Sequence, residues 1–303
     1  MKKIIVTTTI NSPTQAIISF DEMKDWDLIV VGDKKTPLTY KLKKGHYISP
    51  VAQEKYDKKL SDAIGWNCIQ RRNIGYLLAL DMGADIIASV DDDNIPLKGW
   101  GEKVHVGQKI EVNQYATTLD AFDPIGATNY PKLWHRGFPL QLLPQREYVQ
   151  KSKVVKKFDV QADFWNGDPD VDAICRMEHE PECTFKTTYF PFTSNKISPF
   201  NSQNTFFTKE ILKNYFLFPG IGRMDDIWAS YYVQSLGYKV FYQQATVYQQ
   251  RNIHDLTKDM KLEYLGYEHN LEIVQNSKKN PHFILDLLPE QAKIAFKLYQ
   301  KHF

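Results

Sequence analysis

Three short apolar runs, each closing on polar groups, constrain this chain most. "KKIIVTTTI" (2–10), "DLIVVGD" (27–33) and "ADIIASV" (84–90) are β-rich and continuously apolar in their middles. Strands of that texture are buried on both faces, as in a parallel sheet covered by helices. The segments between them fit. Ser12 can cap a helix, Pro13 suits its first position, and the pattern carries it to about Trp26. A polar, lysine-rich stretch fills 34–60. A second helix is predicted over roughly 68–82, with Gly83 as its stop. Strand and helix in alternation predict an α/β fold with a doubly wound, mostly parallel sheet. Such sheets bind ligands at the carboxyl ends of their strands. Thr8, Thr9, Asp33 and the run Asp91-Asp92-Asp93 all fall at such ends, so three segments converge on one crevice.

Beyond Trp100 the texture changes. Residues 101–215 are rich in Pro, Asn, Asp and aromatics, with strand-like pieces such as "CTFKTTYFPF" (183–192), and predict a mixed sheet extension with long loops. "GIGRMDDIWASYYVQSLG" (220–237) is a loop leading into a helix, and "YKVFYQQATVYQQ" (238–250) is strand-like. From Asp255 the pattern is helical, with Leu285, Leu287, Leu288, Ile294 and Leu298 as packing residues. With 43% apolar residues in 303, the simplest expectation is one domain. Within it, 1–100 form a nucleotide-binding half, 101–254 an acceptor and catalytic half, and 255–303 a helical segment.

The chemistry narrows from there. A net charge of +2 without a basic block gives no electrostatic case for nucleic acid. Three scattered cysteines make no disulfide framework and point to a reduced, cytoplasmic setting. No run reaches the length of a membrane span, which leaves peripheral membrane contact open. Three carboxylates at the end of a buried strand suit a hard cation, Mn²⁺ or Mg²⁺, which takes one or two carboxylates plus substrate phosphates. In an extended segment Asp91 and Asp93 project to one side and Asp92 to the other. The expected metal pair is therefore Asp91 and Asp93, with Asp92 supporting the site beside the cofactor.

The run "RRNIGYLLALDMGADIIASVDDDNIPLKGW" resembles the Ala-Arg-Asn-x-Gly, strand, Asp-x-Asp and Pro-Gly-Trp elements of family 2 glycosyltransferases. Arg72, Asn73 and Gly75 match the first element, Asp91 and Asp93 the second, and Pro96 and Trp100 the last. Asn94 follows the pair where the family often has another Asp. A longer resemblance is to the STELLO-type glycosyltransferase family, carried by "TTINSPTQAI", "WDLIVVGDKKTP", "VDDDNIP", "LWHRGFPL", "FDVQADFWNGDPDVDAICRM", "PFNSQNTFF", "DDIWASYYVQ" and "QQRNIHD". Plant members carry a membrane anchor and extra regions not present in these residues, so their location is not carried over. The resemblance implies a Rossmann-like A-type glycosyltransferase fold with C-terminal helices. It also implies a nucleotide-diphosphate sugar as donor, UDP favoured, and leaves the acceptor open; a glycan or lipid-linked glycan is the expected partner.

Within that frame Thr8, Thr9 and Asp33 match positions meeting base and ribose, and Arg72 and Asn73 join them. "GRMDDIW" resembles the acidic element that supplies the base in inverting family 2 enzymes. An inverting transferase needs one carboxylate to take the acceptor proton. Asp226 is the expected base, with Asp225 as neighbour or alternate. "QRNIHD" offers Arg251 to the diphosphate and His254 to the metal. Arg136, Asp170, Asp172, Asn201, Gln203 and Asn204 are expected to meet sugar or acceptor. Three other functions compete. "HRGFP" resembles the Arg-Gly-Tyr-Pro of reversibly glycosylated polypeptides, which are nucleotide-sugar mutases. A non-catalytic nucleotide-sugar-binding partner would bind without turnover. A metal phosphohydrolase would want a denser His/Asp pattern than this chain has.

Overall fold

The computed structural model describes residues 1–250 and 255–303. The apolar runs become β1 (Lys3–Thr8), β2 (Asp27–Val31) and β4 (Ile86–Val90). Between the second and third lies β3 (His46–Ile48). These four pair in parallel in the order β3-β2-β1-β4. The sheet continues through β10 (Asn204–Thr208), β8 (Val160–Gly167), β11 (Val240–Gln249), β9 (Phe192–Ser194), β6 (Lys109–Ala116) and β7 (Val149–Lys157), while β5 (Asn94–Pro96) pairs with β11. Parallel and antiparallel pairings mix in this half, as the expected extension does.

The helices are α1 (Gln15–Asp21), α2 (Pro50–Tyr56), α3 (Lys58–Ile64), α4 (Arg72–Asp81), α5 (Ala173–His179), α6 (Asp225–Ser235), α7 (Leu256–Asn276), α8 (Phe283–Asp286) and α9 (Glu290–Tyr299). The first starts later than the sequence suggests. Thr14, not Ser12, caps it by accepting from the Ile17 amide, and it stops at Asp21 rather than Trp26. Its hydroxyl also donates to the Asp92 carbonyl, which ties α1 to the aspartate turn. The stretch 34–60 is not featureless, because Ser49 and Asp57 cap α2 and α3. Most of 183–192 is loop and a single 3-10 turn rather than strand. Among the expected C-terminal packing residues Leu288 is buried, but Ile294 is 47% exposed because it lies on the outer face of α9.

Helix α4 sets the site's position. It crosses β1 and β2 so closely that a Cβ on Gly75 would come within 2.5 Å of Val6 and 2.7 Å of Val31. Its first residue, Arg72, then lies under the strand ends. Because β4, β8 and β11 run the same way and β10 runs opposite, the ends of β1, β2, β4, β8 and β11 and the start of β10 share one edge. That edge collects Thr8, Asp33, Asp91, Asp170, Gln249 and Gln203 from distant parts of the chain. No described helix is long and apolar enough to cross a membrane.

Candidate active site

Two adjoining cavities open along this edge. The first is lined by Thr8, Thr9, Asn11, Asp33, Asn67, Cys68, Arg71 and Asp92 among others. The second is lined by Arg136, Asp170, Gln203, Gly222, Arg223, Asp225, Asp226 and Gln249. Ile69, Asp91 and Asp93 border both and form the neck between them.

In the first lobe Asp33 accepts from the backbone amides of Lys34 (2.6 Å) and Cys68 (3.1 Å), so it holds the loop that follows α3 across the end of β2. Asn67 supports that loop at φ 57°, a left-handed conformation that asparagine tolerates. The Arg71 guanidinium carbon lies 3.7 Å from the Trp66 ring centroid and Lys34 Nζ 4.7 Å from it, and Arg71 bonds Gln53 and Ser61. Asp92 turns away from the neck as its alternation predicts. It accepts from Thr9 Oγ1 (2.5 Å) and Asn11 Nδ2 (3.1 Å), and burial raises its carboxyl pKa.

Several sequence expectations change at this point. Arg72 borders the first lobe, but its guanidinium is committed inward. It bonds Asp91 Oδ1 (2.6 Å), the Ser202 carbonyl (2.8 Å) and Ser202 Oγ (3.0 Å), so it holds Asp91 in place. Asn73 is fully buried and exchanges two 2.9 Å bonds with the Leu217 backbone, which removes it from the nucleotide side. Asn204 bonds Trp100, the Phe164 carbonyl and Thr246 and touches neither lobe. Asp172 caps α5 and accepts from the Trp134 indole at 2.6 Å, so it is a structural cap rather than a sugar contact. Arg251 and His254 lie outside the described residues.

The second lobe is organised around Arg136, which is 5% exposed. It meets Asp170 through two bonds (2.8 and 3.0 Å) and Asp226 through two more (3.1 and 3.3 Å), and donates to the Arg223 carbonyl. Asn201 donates to Asp170 (2.8 Å) and Gln203 (3.0 Å). Asp226 also accepts from Ser202 N (2.9 Å) and Oγ (3.2 Å). Its neighbour Asp225 accepts from Gln70 Nε2 (2.7 Å). Burial, reinforced by the charge of Asp226 and offset by Arg136, pushes the Asp225 carboxyl up to about 7. The sequence points to Asp226 as the base. In the structure Asp226 accepts from Arg136 and Ser202, whereas Asp225 accepts from Gln70. Arg71, Arg223 and Gln249 line the crevice and lie inside the stretches "RRNIG", "GRMDDIW" and "QQRNIHD" without having been singled out, and Gln70 reaches it only through Asp225.

No group of three or more His, Cys, Asp or Glu among the described residues forms a ready metal cage. A hard divalent cation that shares its shell with a diphosphate needs only one or two carboxylates, and Asp93 and Asp91 at the neck are such a donor set.

The fold is a Rossmann-like α/β sheet with a mixed extension, and its crevice lies at the strand ends. No family model matches the chain. Over 204 residues it is 26% identical to "Probable glycosyltransferase STELLO2" of Arabidopsis thaliana, covering 63% of this chain and 26% of that protein. Over 259 residues it is 24% identical to "Probable glycosyltransferase STELLO1" of the same plant, covering 78% and 33%. The chain thus spans about a quarter to a third of the length of the curated relatives it matches. Among solved structures, glucosyl-3-phosphoglycerate synthase from Mycobacterium tuberculosis with Mn²⁺, uridine-diphosphate and phosphoglyceric acid is similar at TM-score 0.47 and 13% identity, over 90% of this chain and 78% of that one. The same enzyme with Mn²⁺ and uridine-diphosphate-glucose gives 0.44 and 14%, over 89% and 79%.

Proposed function

We propose that the chain is a metal-dependent glycosyltransferase of the A type. It moves a sugar from a nucleotide-diphosphate donor, UDP-linked by preference, to a hydroxyl acceptor with inversion. The observation that carries this is the two-lobed crevice with Asp91 and Asp93 at its neck and Asp225 in the further lobe. The sequence similarity to the STELLO proteins supports it.

The nucleoside occupies the lobe at the ends of β1 and β2. Asp93, with Asp91, would hold the divalent ion, which when bound neutralises the leaving diphosphate. Arg72 fixes Asp91 from beneath, so the neck is organised before the donor arrives. Asp225 takes the proton from the acceptor hydroxyl as the anomeric carbon is attacked opposite the leaving group. A carboxyl with a pKa near 7 is a stronger base than an ordinary aspartate and still ionises at working pH. Asp226 and Asp170 pin Arg136 and hold the N-terminus of α6 in place.

The test is thermal stabilisation by UDP, GDP and CMP, with and without Mn²⁺, on wild type and Asp93→Ala. A ligand at about 100 times its Kd stabilises by about 2.7 kcal/mol. A Mn²⁺-dependent shift with one nucleotide, lost in Asp93→Ala, is expected. No shift with any nucleotide would return Asp91–Asp93 to a solvated strand-end turn.

A further inference from the structure

We propose that Gln249 receives a hydroxyl of the transferred sugar and thereby selects among sugar epimers, an inference that rests on the donor-site proposal above. Gln249 closes β11 at the same sheet edge as the aspartates. Its backbone is paired with Gly167 on one side and with Asn94, the residue after Asp93, on the other. The residue is only 2% exposed, yet it lines the further lobe together with Asp93, Gln203 and Asp225.

Gln249 Oε1 is buried and has no hydrogen-bond partner among the described residues. Such an oxygen is costly in a folded chain, and at the wall of a cavity it is explained by a ligand that completes it. The completing group must donate. Ionised carboxylates and phosphate oxygens only accept, so neither Asp93 nor the diphosphate can serve. A sugar hydroxyl donates to the amide oxygen and accepts from the amide nitrogen with the same atom. The neighbouring amide Gln203 already accepts from Asn201, whereas Gln249 Oε1 accepts from no described residue. Strand pairing on both sides fixes the Gln249 backbone and burial of its side chain restricts the amide, so a hydroxyl that changes configuration meets its oxygen less well. A site built to bond one hydroxyl penalises the sugar that presents it elsewhere.

The experiment is calorimetric binding of UDP, UDP-glucose, UDP-galactose and UDP-xylose to the full chain with Mn²⁺, for wild type and Gln249→Met. Methionine keeps the length and removes both polar atoms. Wild type should prefer one of these sugars over another by about tenfold, the worth of one well-made hydrogen bond. In Gln249→Met that ratio should collapse to within about twofold, while UDP itself binds within about twofold of wild type. Retained discrimination with intact UDP binding would overturn the role of Gln249, as would equal binding of all the sugars by wild type. Absence of UDP binding to wild type would instead overturn the donor site itself. If Gln249→Met loses UDP binding through misfolding, Gln249→Asn decides. It keeps the amide but withdraws it by one methylene, and must show the same collapse.

Discussion

Replacing Asp225 by asparagine should make the protein more stable and less active at once. In the folded state the carboxyl titrates near 7 because it is buried beside Asp226, against an ordinary value of 3.8. Its folded pKa is raised, so the folded state prefers the protonated form, and stability falls as pH rises from 3.8 towards 7. Each unit of difference is worth about 1.36 kcal/mol, so the penalty is several kcal/mol above pH 7 and clearly smaller at pH 5. Asparagine carries no charge, and its carbonyl can still accept from Gln70. For a chain of this size about 1 kcal/mol moves Tm by about 2 °C. Calorimetry on wild type and Asp225→Asn should therefore show the variant melting several degrees higher at pH 8.5 and only slightly higher at pH 5. The same variant should lose roughly 10²–10⁴ in kcat, because the proton acceptor is gone. A variant that melts at or below wild type at pH 8.5, or whose advantage is independent of pH, would refute the assignment of a strained base to Asp225.

Asp226→Asn should act with the opposite sign. It breaks one side of the buried pairing with Arg136 and should cost about 3 kcal/mol, read as a lower denaturant midpoint. Gly75→Ala should cost about 1–3 kcal/mol despite alanine's better helix propensity, because its Cβ would meet Val6 and Val31 well inside contact distance; urea unfolding checks it. Thr14→Ala removes the cap of α1 and its bond to the Asp92 backbone, and should lower stability by about 1 kcal/mol in the same assay.

The parallel half of the fold was legible because its signal is local. β1, β2 and β4 are runs buried on both faces, and nothing but a covered strand suits such runs at these lengths. The stretch 34–60 was illegible for the converse reason. Gln53 and Ser61, polar residues that suggest a surface, are fully buried in α2 and α3 because both bond Arg71 from another helix. Polarity satisfied inside the protein looks, in sequence, like polarity satisfied by water. Ile294 is the mirror case, an apolar residue left outside because its helix turns that face to solvent.

The site divides along the same line. That Asp91 and Asp93 face one way and Asp92 another follows from strand alternation alone, and the structure places Asp92 on Thr9 and Asn11 accordingly. Which of Asp225 and Asp226 can accept a proton is a different kind of question. Adjacent in sequence and both at the start of α6, they differ only in what reaches them. Arg136 comes from a loop some ninety positions away and Ser202 from the turn before β10, and both choose Asp226. Arg136 must itself be held, and Asp170 does so from the far side. Two carboxylates around one guanidinium leave a third, Asp225, buried beside them and accepting from the Gln70 amide. The fixed charge of Asp226 is thus part of what makes Asp225 basic. Burial contributes first and the charge of Asp226 second, so a motif that names only the pair does not tell the two carboxyls apart.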